Sequence, residues 1–316
     1  MSVKDIYLKT MKFSWLKLAM GAVITLISII LLLIFVGIGA LFKNGTILML
    51  MVLFWLSASF GVYEFVMYYV GYMIKAAHIA IIATAVTQGQ IPDNMVETGK
   101  EMVKERFAAS NAYFALDRLI SGAVKQLQRV VGKIDDILGG IPGVSSVVNF
   151  VQIFIGIALG YVDECCLGYT FYKKEEGAFK CGCDGVVIYY QNAKHLLKNA
   201  ALTSLIVMAA TFAAWVIPFA VIGGIFSLFN WSPIIAFFLA LMIALVVKAA
   251  FIDSYMLVKT MVSYMEVAPQ TEITYDLYEK LCKISGKFKD LFNKAQNEKP
   301  LTYYYPQAKQ LAKICE

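Results

Sequence analysis

Charge is scarce in this sequence. Only 16% of its 316 residues are Asp, Glu, Lys or Arg, where a soluble domain carries about 25%. With 59% hydrophobic residues and a mean hydropathy of +0.68, that deficit excludes an ordinary soluble globule and places the chain in the membrane class. Histidine is scarcer still. His78 and His195 stand alone and far apart, which excludes a His-rich metal helix and leaves both in ordinary polar roles. A nucleotide-binding glycine loop and a nucleophile elbow are both missing, so neither enzymatic activity nor a cofactor is expected. The six cysteines lack zinc spacing, because Cys165-Cys166 and Cys181-x-Cys183 are tighter than a C-x2-4-C pair. No metal site is expected. A disulfide framework belongs to short secreted chains, so these thiols read as reduced and structural near the cytoplasmic face, or as sites of acylation.

What the sequence has is long apolar runs. About 20 apolar residues cross a bilayer as a helix. Four runs qualify: 14–42, 46–72 (its helix continuing towards Val86), 198–229 and 233–265. The basic N-terminus before the first run reads as a signal anchor, because the run is about twice the length of a signal-peptide h-region. Tight turns at "KNGT" and "NWSP" make two hairpins, and these are rough copies of each other. "KAAHIA" at 75–80 and "KAAFID" at 248–253 sit near their inner ends, and each precedes a Pro-containing turn and an amphipathic helix. Internal repeats of this kind are common in transporters. Five segments follow: a transmembrane hairpin at 1–87, a cytoplasmic or interfacial amphipathic helix at 88–143, an apolar broken helix with a cytoplasmic segment at 144–197, a second hairpin at 198–268 and a cytoplasmic helical tail at 269–316.

Between the hairpins a long helix is expected over 93–138. Its apolar positions Leu116, Ile120, Ala123, Leu127, Val130, Ile134 and Ile137 fall on one face, which suits a helix lying on the membrane surface or a coiled-coil contact within a homo-oligomer. A fifth apolar run, 144–172, disturbs the topology. The net charge of +6 is spread with acids among the bases, so it reports orientation rather than nucleic-acid binding. The rule that basic segments stay inside places both termini in the cytoplasm of a cell-membrane protein. Residues 144–172 must then leave and return to one side or never leave, yet one helix of that length spans only about 43 Å. A broken or re-entrant element, a single true span and a hidden crossing within 93–138 all remain open.

Ionisable residues inside apolar runs are costly and mark functional sites by default. Glu64 is followed by Tyr68 and Tyr72 on the same helical face, a carboxylate with aromatic rings that suits a quaternary ammonium; an aromatic belt around an acid that faces protein fits equally well. Glu164 shares the small-residue face of Gly156, Gly160 and Gly168, which allows close packing around an acid. Lys248 and Asp253 are five apart, a poor spacing for an α-helical ion pair, so each is expected to pair with another helix.

The segment "CGCDGVVIYYQNAKHLLKNA", 181–200, comes before an apolar hairpin ending in "KAAFIDSYMLVKTMVSYMEV". This combination resembles the C-terminal part of the choline transporter-like family. The matching motif positions are Asp184, Gly185, Val187, Ile188, Asn192 and His195, with Asp253 and Glu266 at the end of the last hairpin. The resemblance covers about a third of the chain. Eukaryotic members are about twice as long, with about ten membrane helices and a large outer loop, so this chain is similar to a half-size relative. The resemblance implies a transporter of choline or a related organic cation. The expected fold is an all-α, polytopic integral membrane protein: two helical hairpins, a central broken or re-entrant apolar helix and an interfacial amphipathic helix. The expected partners are the lipid bilayer, a small solute such as an amine and further copies of the chain. A non-transporting scaffold or assembly protein and an oligomeric channel are the alternatives.

Overall fold

The computed structural model describes residues 1–107, 110–132, 160–229 and 233–298. Among them every regular element is helical. In chain order these are α1 (Val3–Lys9), α2 (Met11–Leu41), α3 (Gly45–Val66), a π-helical turn (Met67–Gly71), α4 (Tyr72–Gln88), α5 (Met95–Arg106) and α6 (Ser110–Gly132). Then come α7 (Val162–Tyr172), α8 (Ala178–Leu228), α9 (Pro233–Val247), a second π turn (Lys248–Ile252), α10 (Asp253–Val267), α11 (Tyr275–Ile284) and α12 (Gly286–Glu298).

These elements form two compact units. The hairpin unit contains residues 10–78 and 208–254. The other, a helical unit, contains 1–9, 79–207 and 255–316. Four helices are long and apolar enough to cross a membrane: Met11–Leu41, Gly45–Val66, Thr203–Leu228 and Ala236–Gln270. They fall close to the expected runs. Large apolar side chains such as Leu26, Leu33, Phe60, Phe212 and Ile234 lie exposed along them, which is compatible with a membrane location. The first hairpin turns at Lys43, whose φ is +50°, and Asn44 caps α3 by accepting from the Thr46 N–H at 2.9 Å. Polar contacts fasten α2 to α3. Trp55 Nε1 donates to the Ser28 carbonyl at 2.8 Å, and the Ser28 and Ser59 hydroxyls meet at 2.7 Å. Such bonds act as glue where the surroundings are as apolar as the helices themselves.

The helical unit corrects two expectations. The single helix over 93–138 is interrupted. α5 ends at Arg106, and Phe107 is extended at φ −125° and ψ 86°. Its ring meets Tyr113 edge-on at 4.9 Å and Phe171 at 5.8 Å, so burying this aromatic breaks the helix. The stripe on α6 is also not interfacial. Leu116, Ile120, Ala123 and Leu127 are buried because α6 packs against α7 and α12. Gly182 of α8 presses directly on Leu116 and Ile120, so protein occupies the face that lipid was expected to cover. Residues 133–138 of that expected helix lie outside the described residues.

The tail is likewise an integral part of this unit. Phe288, Leu291 and Phe292 of α12 are fully buried. Gln126 on α6 accepts from the Ser285 hydroxyl at 2.8 Å and from the Lys287 N–H at 2.9 Å. Of the fifth apolar run, residues 144–159 lie outside the described residues. The described chain resumes with a turn at Gly160 and Tyr161 and enters α7. Every side chain of α7 from Cys165 to Phe171 is buried.

Candidate functional site

Several polar groups of the hairpin unit come together where α2, α4 and α10 meet. Lys17, on α2, donates from Nζ to His78 Nδ1 of α4 at 3.2 Å and to the Ser254 hydroxyl of α10 at 3.0 Å. Lys17 is half-buried, whereas His78 and Ser254 are wholly buried. The Phe13 ring stacks on the imidazole, with centroids 4.7 Å apart and planes 14° apart. Close packing holds the arrangement. Trp15 meets Phe251 edge-on at 5.3 Å, and Gly21 lies so near Val246 that a Cβ there would approach it to 2.5 Å. Three helices that are distant in sequence are thus tied through one lysine.

Lys248 and Asp253 pair with each other, Nζ to Oδ1 at 2.6 Å. This pairing, which their spacing argued against, has a local reason. Residues 248–252 form a π turn, whose i→i+5 hydrogen bonds widen the helix. A spacing of five, poor on an α-helix, then brings two side chains onto one face. The first hairpin carries its own π turn at Met67–Gly71, so both second helices widen before they continue. Such turns occur frequently at functional sites.

The remaining candidates fall in both units. Glu64 and Tyr68 are exposed on the hairpin unit, and Tyr72 is half-buried there. Glu164 belongs to α7 in the helical unit. It is half-buried, as is Asp163, whose Oδ1 accepts the Glu164 N–H at 3.1 Å. The Lys248–Asp253 ion pair directly joins two members of the predicted set.

Comparison with family models, with curated proteins and with solved structures gave no match.

The motif segment has a structural part to play. Asp184 is buried on α8 and accepts from Lys180 Nζ at 2.6 Å and from the Tyr278 hydroxyl of α11; Lys180 also pairs with Glu176. Burial pushes the Asp184 carboxyl up from its ordinary range, against the opposing pull of Lys180 and Tyr278. Burial alone would lower Lys180, but Asp184 and Glu176 outweigh it and hold the ammonium above its ordinary value. Gly185 permits a close helix crossing, since a Cβ would lie 2.9 Å from Cys166 Cα, and its carbonyl accepts from the Tyr264 hydroxyl at 2.9 Å. Asn192 donates to the Ile188 carbonyl and to Thr271 Oγ1, both at 2.9 Å. His195 is exposed.

Sequence reasoning missed Arg106. Its guanidinium donates to the carbonyls of Thr170, Lys173, Lys174 and Glu176 at 2.7 to 3.3 Å. It thereby satisfies the open C-terminal end of α7. Cys165, Cys166 and Cys183 are buried, and burial pushes their thiols well up. Cys181 is pushed up to about 12 by the same cause, against the nearby Arg106 charge. These thiols are protonated and poorly nucleophilic at neutral pH. Among the described residues, no three His, Cys, Asp or Glu side chains are placed to hold a metal ion.

Proposed function

We propose that the chain is a multi-pass membrane carrier of a small solute, with choline or a related organic cation as the solute that the family resemblance implies. One observation carries the reading. The hairpin unit holds a Lys248–Asp253 ion pair within one helix of spanning length and a hydrogen-bonded Lys17–His78–Ser254 cluster whose lysine and serine lie on two such helices. Charged groups in such helices are costly and are kept where they serve a pathway. The π turns beside them support the same reading. Glu64 with Tyr68 and Tyr72 is the set that a quaternary ammonium would engage.

Uptake of labelled choline into proteoliposomes tests this reading. Saturable uptake is expected from the parent protein, with a marked loss in Glu64→Gln. No uptake by either protein, together with no choline binding to the purified protein, overturns the choline version.

A non-transporting scaffold is the second reading, favoured by the helical unit. Its own core runs through α6, α7, α11 and α12. This reading expects Glu64→Gln, Glu164→Gln and Asp253→Asn to be tolerated, and a protein partner to stay bound through purification.

A further inference from the structure

We infer that Lys12 and Trp15, at the start of α2, form a surface that takes the headgroup of an anionic phospholipid. Their place on the helix comes first. Lys12 heads an exposed stripe that continues through Trp15, Ala19, Val23, Leu26, Ile30 and Leu33. Its steps of three and four keep it on one helical face. Beyond Lys12 the stripe is apolar, so its chemistry fits lipid. Lys17 lies five residues on, about 140° round the helix, and turns inward to His78 and Ser254. The two lysines thus serve different faces. One ties helices together, and the other is open to the outside of the hairpin unit.

Depth and charge narrow the occupant. From Lys12 to Leu41, α2 is about 44 Å long, close to the ~40–45 Å of a bilayer with its headgroup layers. Lys12 then lies at headgroup level. Trp15 lies about 4.5 Å deeper, at the interface that indole rings favour. Its ring is 57% exposed, although Phe251 meets it edge-on at 5.3 Å. One side is held by protein and the other is open. Lys12 is exposed and takes part in no ion pair among the described residues. Residues 6–63 contain no Asp or Glu, so this part of the chain supplies no carboxylate to compete for the lysine. Lys9 is three residues away, and a chain of that length holds it within about 11 Å, roughly a Debye length. Its charge adds to the field at Lys12. Basic residues beside a spanning helix attract anionic lipids. The surface faces lipid rather than a transported solute, so it stands whether or not the chain is a carrier.

Fluorescence quenching by brominated lipid provides the test. The full chain is reconstituted in mixed vesicles of phosphatidylglycerol and phosphatidylcholine, with the bromine on one lipid or the other. Trp15 emission is taken as the difference between each protein and the same protein carrying Trp15→Phe, which keeps a ring against Phe251. Brominated phosphatidylglycerol should quench Trp15 at a mole fraction about fivefold lower than brominated phosphatidylcholine needs. Lys12→Gln should erase most of that preference, whereas Lys12→Arg, which keeps the charge, should retain it. Lys43→Gln removes the same charge beyond the far end of α2 and should leave the preference at Trp15 unchanged. Equal quenching by the two lipids in the parent protein overturns the proposal. So does Trp15 emission that neither brominated lipid quenches. A loss of preference as large in Lys43→Gln as in Lys12→Gln overturns it too, because attraction would then follow net charge and not a local surface.

Discussion

Asp184 shows how much of a site one residue's neighbours determine. Its i,i+4 relation to Lys180 is visible in the sequence, and so is the segment around it. Its partner Tyr278 lies 94 residues further on, and nothing in local spacing points to it. The resemblance drew attention to Asp184, Gly185 and Asn192 as a motif; the structure places them at the junction of α8 with α7, α10 and α11. The same residues set a pH dependence. Because the folded-state pKa of Lys180 is raised, its contribution to stability is full below the unfolded value, about 10.4. It is lost as pH rises through the higher folded value. The melting-temperature gap between the parent and Lys180→Met, followed by circular dichroism in detergent, should stay constant from neutral pH to about 10 and shrink above that. A gap that widens with alkali would contradict the assignment.

Among the elements, the apolar runs were the most legible, because a stretch such as "LISIILLLIFVGIGALF" has no other stable use in water. The π turns were not. A widened turn leaves no compositional mark, so Lys248 and Asp253 looked mispaired until the backbone between them was known. The stripe on α6 was read correctly as one helical face, but period alone does not say what covers a face. α7, α8 and α12 cover it. Ile120→Ala should therefore lower the stability of the helical unit by about 2–5 kcal/mol, the range for truncating a buried aliphatic side chain. Retention of the protein in the membrane fraction should be unchanged. A peripheral stripe would behave in the opposite way, with weakened membrane contact and little change in thermal unfolding.

Across the whole molecule, the division into units bears on the orientation that the sequence left open. The chain passes between the units after residues 9, 78, 207 and 254. If each hairpin leaves and returns, the described residues 1–9, 89–107, 110–132, 160–202 and 271–298 would share one side. Membrane-impermeant maleimide should label Asn44→Cys and Leu228→Cys from one face of sealed vesicles. It should label Lys174→Cys and Lys280→Cys only from the other face. Labelling of all four from one face would refute the shared side. The interleaving also constrains synthesis. A ribosome makes Lys180 and Asp184 well before Tyr264 and Tyr278 emerge, and the second hairpin is translated in between. The nascent helical unit therefore waits, with its central carboxylate and the carbonyl of Gly185 lacking their tyrosine partners, until the residues of the second hairpin have been made. If that hairpin inserts into a membrane as it is made, maturation of the helical unit is timed by the insertion rather than by the emergence of its own first helices.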